Sequence, residues 1–345
     1  YSNRVLIQHK NKDLIPIHMG FFKGVVDTED LPLNISRETL QENRVLRKIN
    51  QTIVKQTLTH LEKMAADDPE KYKKFWDNHG TFLKFGLQQD FLNRDRLLAL
   101  LRFNSSASES NEENTSLDDY MKRGLEGQKT IWFVTAPNRE AAKINPYMDR
   151  FRKKGIEVLF FYEALDEFVM DGQGKYKEWD IKSIEKAEDK ELEAFADKED
   201  DKPKAAPLSE EDEKSFSDLL AKMKEVLGDK VKDVIVSSKL ADSAAVLSSE
   251  DGMTSAMDKF MRHMGKDDTI PVKTLEVNRE HALLRSMLRI YKADAGDAIL
   301  VNLINGLFDS AQLMDGFIRD PQELASRNSK LLEQSAAWYA EVRKI

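Results

Sequence analysis

Apolar residues first recur at helical spacing. Between residues 37 and 64 they fall at Leu40, Val45, Leu46, Ile49, Ile53, Val54, Leu58, Leu61 and Met64. That spacing lays one apolar stripe along one helix face. DDPE (Asp67–Glu70) ends the helix, and Pro69 opens the next, because proline fits a first helical turn. Residues 70–103 predict two or three more helices, among them Arg94–Phe103. Ahead of these, Arg4–Gln8 reads as a strand and Leu14–Asp27 as a short helix entering a turn. Asn104–Ser116 holds one alanine and nothing larger that is apolar, so it reads as a solvated loop or insertion.

The pattern then changes period. Leu117–Gly124 is helical, and KTIWFVTA (Lys129–Ala136) is the continuous apolar run of a buried strand. Asn138–Lys154 predicts one helix and GIEVLFFYE (Gly155–Glu163) a second buried strand. Strand, crossover helix and strand predict a parallel βαβ unit. Fifteen of the twenty-three residues from 182 to 204 are charged, and Pro203 and Pro207 lie in or just after that run. It reads as a linker, helical in part. Ser209–Leu227 is a helix with a serine cap and an acidic first turn. Val231–Leu240 and Ala244–Ser248 are strands, and helices follow near 253–265, 280–291, 295–315 and 321–343. The sum is a multidomain α/β and α+β chain. Its segments are an incomplete αβα piece (1–66), a helical connector (67–105), a small αβα domain with the βαβ unit (106–190), a charged linker (191–208) and a helix-rich α+β domain (209–345).

Composition narrows the chemistry. The formal charge is −8 with 33% charged residues, which disfavours bulk nucleic acid and anionic membrane as partners. The absence of cysteine removes disulfides, thiolate metal sites and cysteine nucleophiles, and suits a reducing compartment. The six histidines show no metal-ligand spacing. No P-loop or GxGxxG is present, and the lone GxG at Gly172–Gly174 reads as a turn. No apolar run reaches membrane length. The chain opens on Tyr1 and reads as a piece whose N-terminal part is missing.

Four features could carry function, each with a plainer alternative. Arg37 sits at the start of a helix, where a cation opposes the dipole. Gln41 shares its face one turn on, and Asn34 precedes the cap Ser36. A cation and two amides aimed one way suit an incoming phosphate, or Arg37 pairs with a neighbouring carboxylate. Met253, Met257, Met261 and Met264 are four of the chain's twelve methionines and lie within twelve residues, with Phe260 on the same face. Met-rich faces recur at promiscuous binding surfaces, or this face packs into a core. The run Asp297–Phe317 is apolar beyond a single stripe, and with the terminal helix Gln322–Val342 it suggests a helical dimer interface, or an intrachain core. Glu167, Phe168 and Asp171 follow the second buried strand, where ligands gather in parallel sheets. They form a contact patch or an ordinary helix turn.

These features, in this order, resemble the heat-shock protein 90 chaperone family, above all its bacterial HtpG branch and the related mitochondrial form. The resemblance runs nearly end to end. It is carried by GVVDTEDLPLNISRETLQ (Gly24–Gln41), LLRFNSS (Leu100–Ser106), KKGIEVLFFYEALDEF (Lys153–Phe168), LGDKVKDV (Leu227–Val234), TLEVNREHALLRSM (Thr274–Met287) and DSAQLMDGFIRDPQELASRN (Asp309–Asn328). The resemblance implies most of a middle domain and a C-terminal dimerisation domain of an ATP-driven homodimeric chaperone. It implies that Arg37 meets the γ-phosphate of ATP, with Asn34 and Gln41 as accompanying amides. ATP and magnesium would belong to the full-length protein and not to this piece, which would not hydrolyse ATP alone. Met253, Met257, Phe260 and Met261 match a client-binding helix, and Glu167, Phe168 and Asp171 a client patch. Phe168 stands where bacterial relatives often have Trp. The chain ends in VRKI, not in the EEVD that cytosolic eukaryotic forms offer to co-chaperones. The implied location is the bacterial cytoplasm or the mitochondrial matrix. The rival readings are a helical dimeric scaffold without chaperone activity and a stand-alone α/β enzyme.

Overall fold

The computed structural model describes residues 1–11, 13–30, 44–198, 208–249, 252–266, 269–318 and 320–344. Among them, thirteen α-helices and two small sheets make a mixed α and β chain. The chain divides into two compact units. One is Tyr1–Ile131 with Leu159–Phe161 and Leu165–Ile181; the other is Trp132–Val158 with Tyr162–Ala164 and Lys182–Ile345.

The first unit is built on α1 (Arg44–Asp67), α2 (Pro69–Gly86) and α3 (Arg94–Leu100). The Asp68 side chain accepts from the Lys71 backbone N–H at 3.1 Å, and Pro69 fills the first turn of α2. The helical stripe closes on Leu58, Leu61, Leu83 and Leu97, all buried. Each such side chain contributes about 1.5–3 kcal/mol. Polar ties fix the register: the Tyr72 hydroxyl donates to the Leu100 carbonyl at 2.5 Å, and Arg96 grips both Glu62 oxygens at 2.6 and 2.7 Å.

A 3₁₀ turn at Ile17–Met19 packs on α2 and buries His18. The strand expected at Arg4–Gln8 does not form. Asn3 and Arg4 have φ of 49° and 64°, and Ser2 and Val5 exchange backbone hydrogen bonds of 2.9 Å across them. The backbone therefore reverses where a strand needs extension.

The first sheet holds β1 (Asn104–Ser105), β2 (Thr130–Thr135), β3 (Leu159–Phe161), β4 (Lys175–Tyr176) and β5 (Trp179–Ser183), in the order β1-β3-β2-β5-β4. Asn104 and Ser105 are buried, so the stretch expected to be solvated is anchored at its start. The Asn104 amide donates to the Asn111 and Glu113 carbonyls and to Asn114 Oδ1. Helix α4 spans Leu117–Arg123. The single helix expected over 138–154 is two, α5 (Arg139–Lys143) and α6 (Met148–Lys154). Pro146 lies between them and cannot donate to a continuous helix. Then come α7 (Ala164–Asp171) and α8 (Asp189–Glu193). The charged run expected to be a linker from 182 begins inside β5, and buries Ile184, Ala187 and Leu192. Its charges alternate with core residues.

The second sheet belongs to the second unit. Here the chain forms α9 (Glu210–Leu227), β6 (Val234–Val236), β7 (Ala245–Ser248), α10 (Ser255–Gly265), β8 (Thr274–Val277), α11 (Ala282–Ala293), α12 (Ala298–Asp315) and α13 (Pro321–Arg343). Strand β8, not expected from the pattern, is central: β6 pairs with it in parallel and β7 antiparallel. Helices α9, α11 and α12 cover the sheet through Leu219, Met223, Leu284, Met287, Leu300 and Ile304. Among the described residues no helix is long and apolar enough to cross a membrane.

Candidate functional site

Helix α10 starts at Thr254, whose hydroxyl accepts from the Met257 backbone N–H at 3.2 Å, and ends at Lys266 in the left-handed region. An amphipathic helix ordinarily lays its apolar face on the protein. This one does the opposite. The only residue of α10 that is buried is Asp258, and Thr254 one turn before it is buried too. Met253, Met257 and Phe260 are half-buried, while Met261 and Met264 are 49% and 68% exposed. The structure thus places three of the four predicted residues, Met257, Phe260 and Met261, along the side of the helix turned away from Asp258, with Met253 just ahead of its cap.

What holds the polar side down is a set of charges drawn from distant parts of the chain. The Lys273 ammonium, almost wholly buried, donates to both Asp315 oxygens and to Ser255 Oγ, each at 3.1 Å. Ser255 Oγ donates to Asp315 Oδ1 as well. Asp258 Oδ2 lies 3.7 Å from Lys273, and its other oxygen takes the Arg262 Nε–H at 2.7 Å. The Ser255 backbone N–H donates to Glu185 Oε2 at 3.2 Å. Lys259 and Lys273 both approach the Phe317 ring, at 5.2 and 4.9 Å from its centroid. Burial pulls the Lys259 ammonium below its usual range, against the opposing pull of Asp315. Gly316 ends α12 at φ 76°, and a Cβ there would meet Lys259 Nζ, so glycine answers both demands. Near this cluster, burial drives the Tyr147 phenol far above its ordinary value, helped by Glu185, Glu276 and Asp315. Lys273, Asp315, Ser255 and Asp258 were not singled out by sequence; only the fold brings them together.

Two clefts open beside this helix. One of about 380 Å³ is lined by Tyr147, Glu185, Lys239, Leu247, Met253 and Ser255 among others. Another of about 310 Å³ is lined by Lys232, Ser248, Asp258, Arg262 and Lys273 among others.

In the first unit, α7 splits its predicted patch. Phe168 is 41% exposed and Asp171 is exposed three residues on, but Glu167 is buried. Glu167 therefore faces inward, not into the contact patch expected for it. The adjacent Asp166, also buried, forms an ion pair with Lys84 of α2. Asn34, Arg37 and Gln41 lie outside the described residues.

The C-terminal helices also differ in cover. α12 buries Leu300, Ile304, Leu307, Phe308 and Ala311, yet leaves Leu313 and Met314 exposed. α13 buries no residue at all, and Leu332, Trp338, Tyr339 and Val342 are each more than half exposed. It is tied to α12 by Arg327–Asp309 at 2.8 Å and by Leu331, whose Cδ1 packs within 3.1 Å of where a Cβ on Gly306 would be.

A family model described as "Hsp90 protein" matches residues 1–344. The chain is 53% identical to the chaperone protein HtpG of Oleidesulfovibrio alaskensis, with all of this chain and 54% of the relative covered. It is 47% identical to that of Nitratidesulfovibrio vulgaris over 100% of this chain and 54% of the relative. It is 39% identical to that of Ruthia magnifica over 96% and 52%. The chain spans about half the length of the curated relatives it matches. Matched along its length by the family model and similar throughout to several HtpG proteins, the chain belongs to the Hsp90 family, in its bacterial HtpG branch.

Proposed function

We propose that the chain is the client-holding and dimer-forming part of an ATP-dependent homodimeric chaperone of the bacterial cytoplasm. The observation that carries this reading is the orientation of α10. A helix with a strong apolar face is fixed by its polar side, leaving Met257, Phe260, Met261 and Met264 for an unfolded or partly folded client. Met253 extends that face, and Phe168 with Asp171 supplies a second, smaller contact; Glu167 would act from beneath it. A second copy would cover the bare face of α13 together with Leu313 and Met314 of α12. Residues 1–66, 67–105 and 106–190 would then be parts of a middle domain, with 191–208 a linker and 209–345 the dimerisation domain.

In the longer protein, Arg37 would stabilise the γ-phosphate charge of ATP, with Asn34 and Gln41 beside it. ATP and magnesium enter only there. Aggregation of a denatured client, followed by light scattering with and without the chain, tests the central claim. Met257→Ser with Met261→Ser should lose most of the protection, and full protection by that variant would sink it. Turnover of the full-length protein with Arg37→Ala tests the phosphate role, which near-normal turnover would remove. A dimeric scaffold without chaperone activity would use α13 alike, but would not protect a client at all.

A further inference from the structure

We infer that Lys273, with Asp315 and Ser255, is a positioning device that decides which face of α10 the protein offers to solvent. The amphipathic pattern of α10 fits two placements. Residues advance by about 100° around a helix, so the row Met257, Met261 and Met264 lies roughly that far round from Asp258. A roll of that size would turn the methionines to where Asp258 now lies and carry Asp258 away from Lys273, which is the arrangement apolar burial favours. The structure takes the other placement, and a set of polar contacts holds its buried side. Ser255 Oγ bonds Lys273 and Asp315, the Ser255 N–H bonds Glu185, and Asp258 faces Lys273.

Lys273 immediately precedes β8 and Asp315 ends α12, so neither moves with α10. A buried ammonium without its partners is disfavoured, so a roll that removed Ser255 and Asp258 would strip Lys273 of two of its oxygen neighbours. Buried polar groups here act on specificity, choosing one of two packings of the same helix. Lys273 is thus a positioning residue: it does not touch a client, but holds out the residues that do.

This use of the device rests on the proposed client role of α10; the orientation itself does not, and it can be measured alone. The chain has no cysteine, so Met261→Cys gives a single reporter thiol. Its labelling rate by a soluble maleimide is read on the full chain. In an otherwise unchanged chain the thiol should label fast. With Lys273→Met and Asp315→Leu together, Asp258 keeps Arg262 as its partner, and labelling should slow at least tenfold while cooperative unfolding is retained. Ser255→Ala with Asp258→Asn cuts the side-chain links from Lys273 and Asp315 to the helix, keeps the Ser255 N–H bond to Glu185 and leaves the Lys273–Asp315 pair whole, so it serves if the first variant does not fold; it should slow labelling too. Unslowed labelling in a folded variant of either kind overturns the inference. Slowed labelling with client protection unchanged keeps the device and removes α10 from client binding. Slowed labelling with lost protection supports both.

Discussion

Helices α10 and α11 carry nearly the same message in sequence and take opposite places in the second unit. Each is eleven or twelve residues long with a pronounced apolar face. α11 turns Leu284, Met287 and Leu288 into the core, whereas α10 turns Asp258 inward and its methionines away. The difference lies in what each meets. α11 meets leucines and valines of β8, α9 and α12, and α10 meets a buried lysine with two carboxylates. An apolar face records that a helix has something to bury or to bind, and the partner decides which.

That contrast can be broken most strongly at its charged side. Asp315→Ala leaves Lys273 buried without its main partner and should cost about 3–5 kcal/mol in urea unfolding; a loss below ~1 kcal/mol would mean the pair contributes little. On the apolar side, Leu284→Ala empties a fully buried site and should cost about 2–5 kcal/mol. Removing the cap of α10 by Thr254→Ala should cost about 1 kcal/mol, visible as faster amide exchange in its first turn.

A further contrast sets Lys273 against His18, a buried base whose ring nitrogens make no hydrogen bond among the described residues and whose Nε2 lies 3.6 Å from the Asp90 carboxylate. Burial lowers the imidazole pKa, and Asp90 only partly restores it. The unfolded chain then binds the proton more readily, so stability should fall as pH drops through the ordinary histidine range, levelling below the folded pKa. A urea midpoint that is flat from about pH 8 to about pH 5, or unchanged in its slope by His18→Asn, would contradict this. The smallest effect on stability is expected from Met261→Ser, within about 0.5 kcal/mol because the side chain is half exposed.

Much of the second unit was legible because its signals are local. Ser209 with Glu210–Glu213 fixes the start of α9, and Pro321 with Asp320 that of α13. Three kinds of feature were not. Pro146 sits inside a run that otherwise reads as one helix, and its missing N–H divides α5 from α6. Strands β4 and β5 were hidden by charge, although Trp179, Ile181 and Ser183 alternate inward at period two. The same blindness turned Ile184, Ala187 and Leu192 into linker. At the candidate site, the spacing of the methionines and Phe260 was plain, but the face they occupy was set by Lys273 and Asp315. Those lie fifteen and fifty-seven residues beyond Asp258, and no local pattern ties them to it.

The bare helix α13 has a consequence of its own. Its cap at Asp320 and its ties at Arg327 and Leu331 hold its first half, while nothing is buried along the rest. If a second copy covers it, as proposed, the order of that second half would follow the abundance of that copy. By mass action each tenfold dilution withdraws about 1.4 kcal/mol from a covered state. Under the proposed pairing of two copies, dilution would act as a denaturant on this one stretch of chain, and the cell would set its folding by how much of the protein it makes.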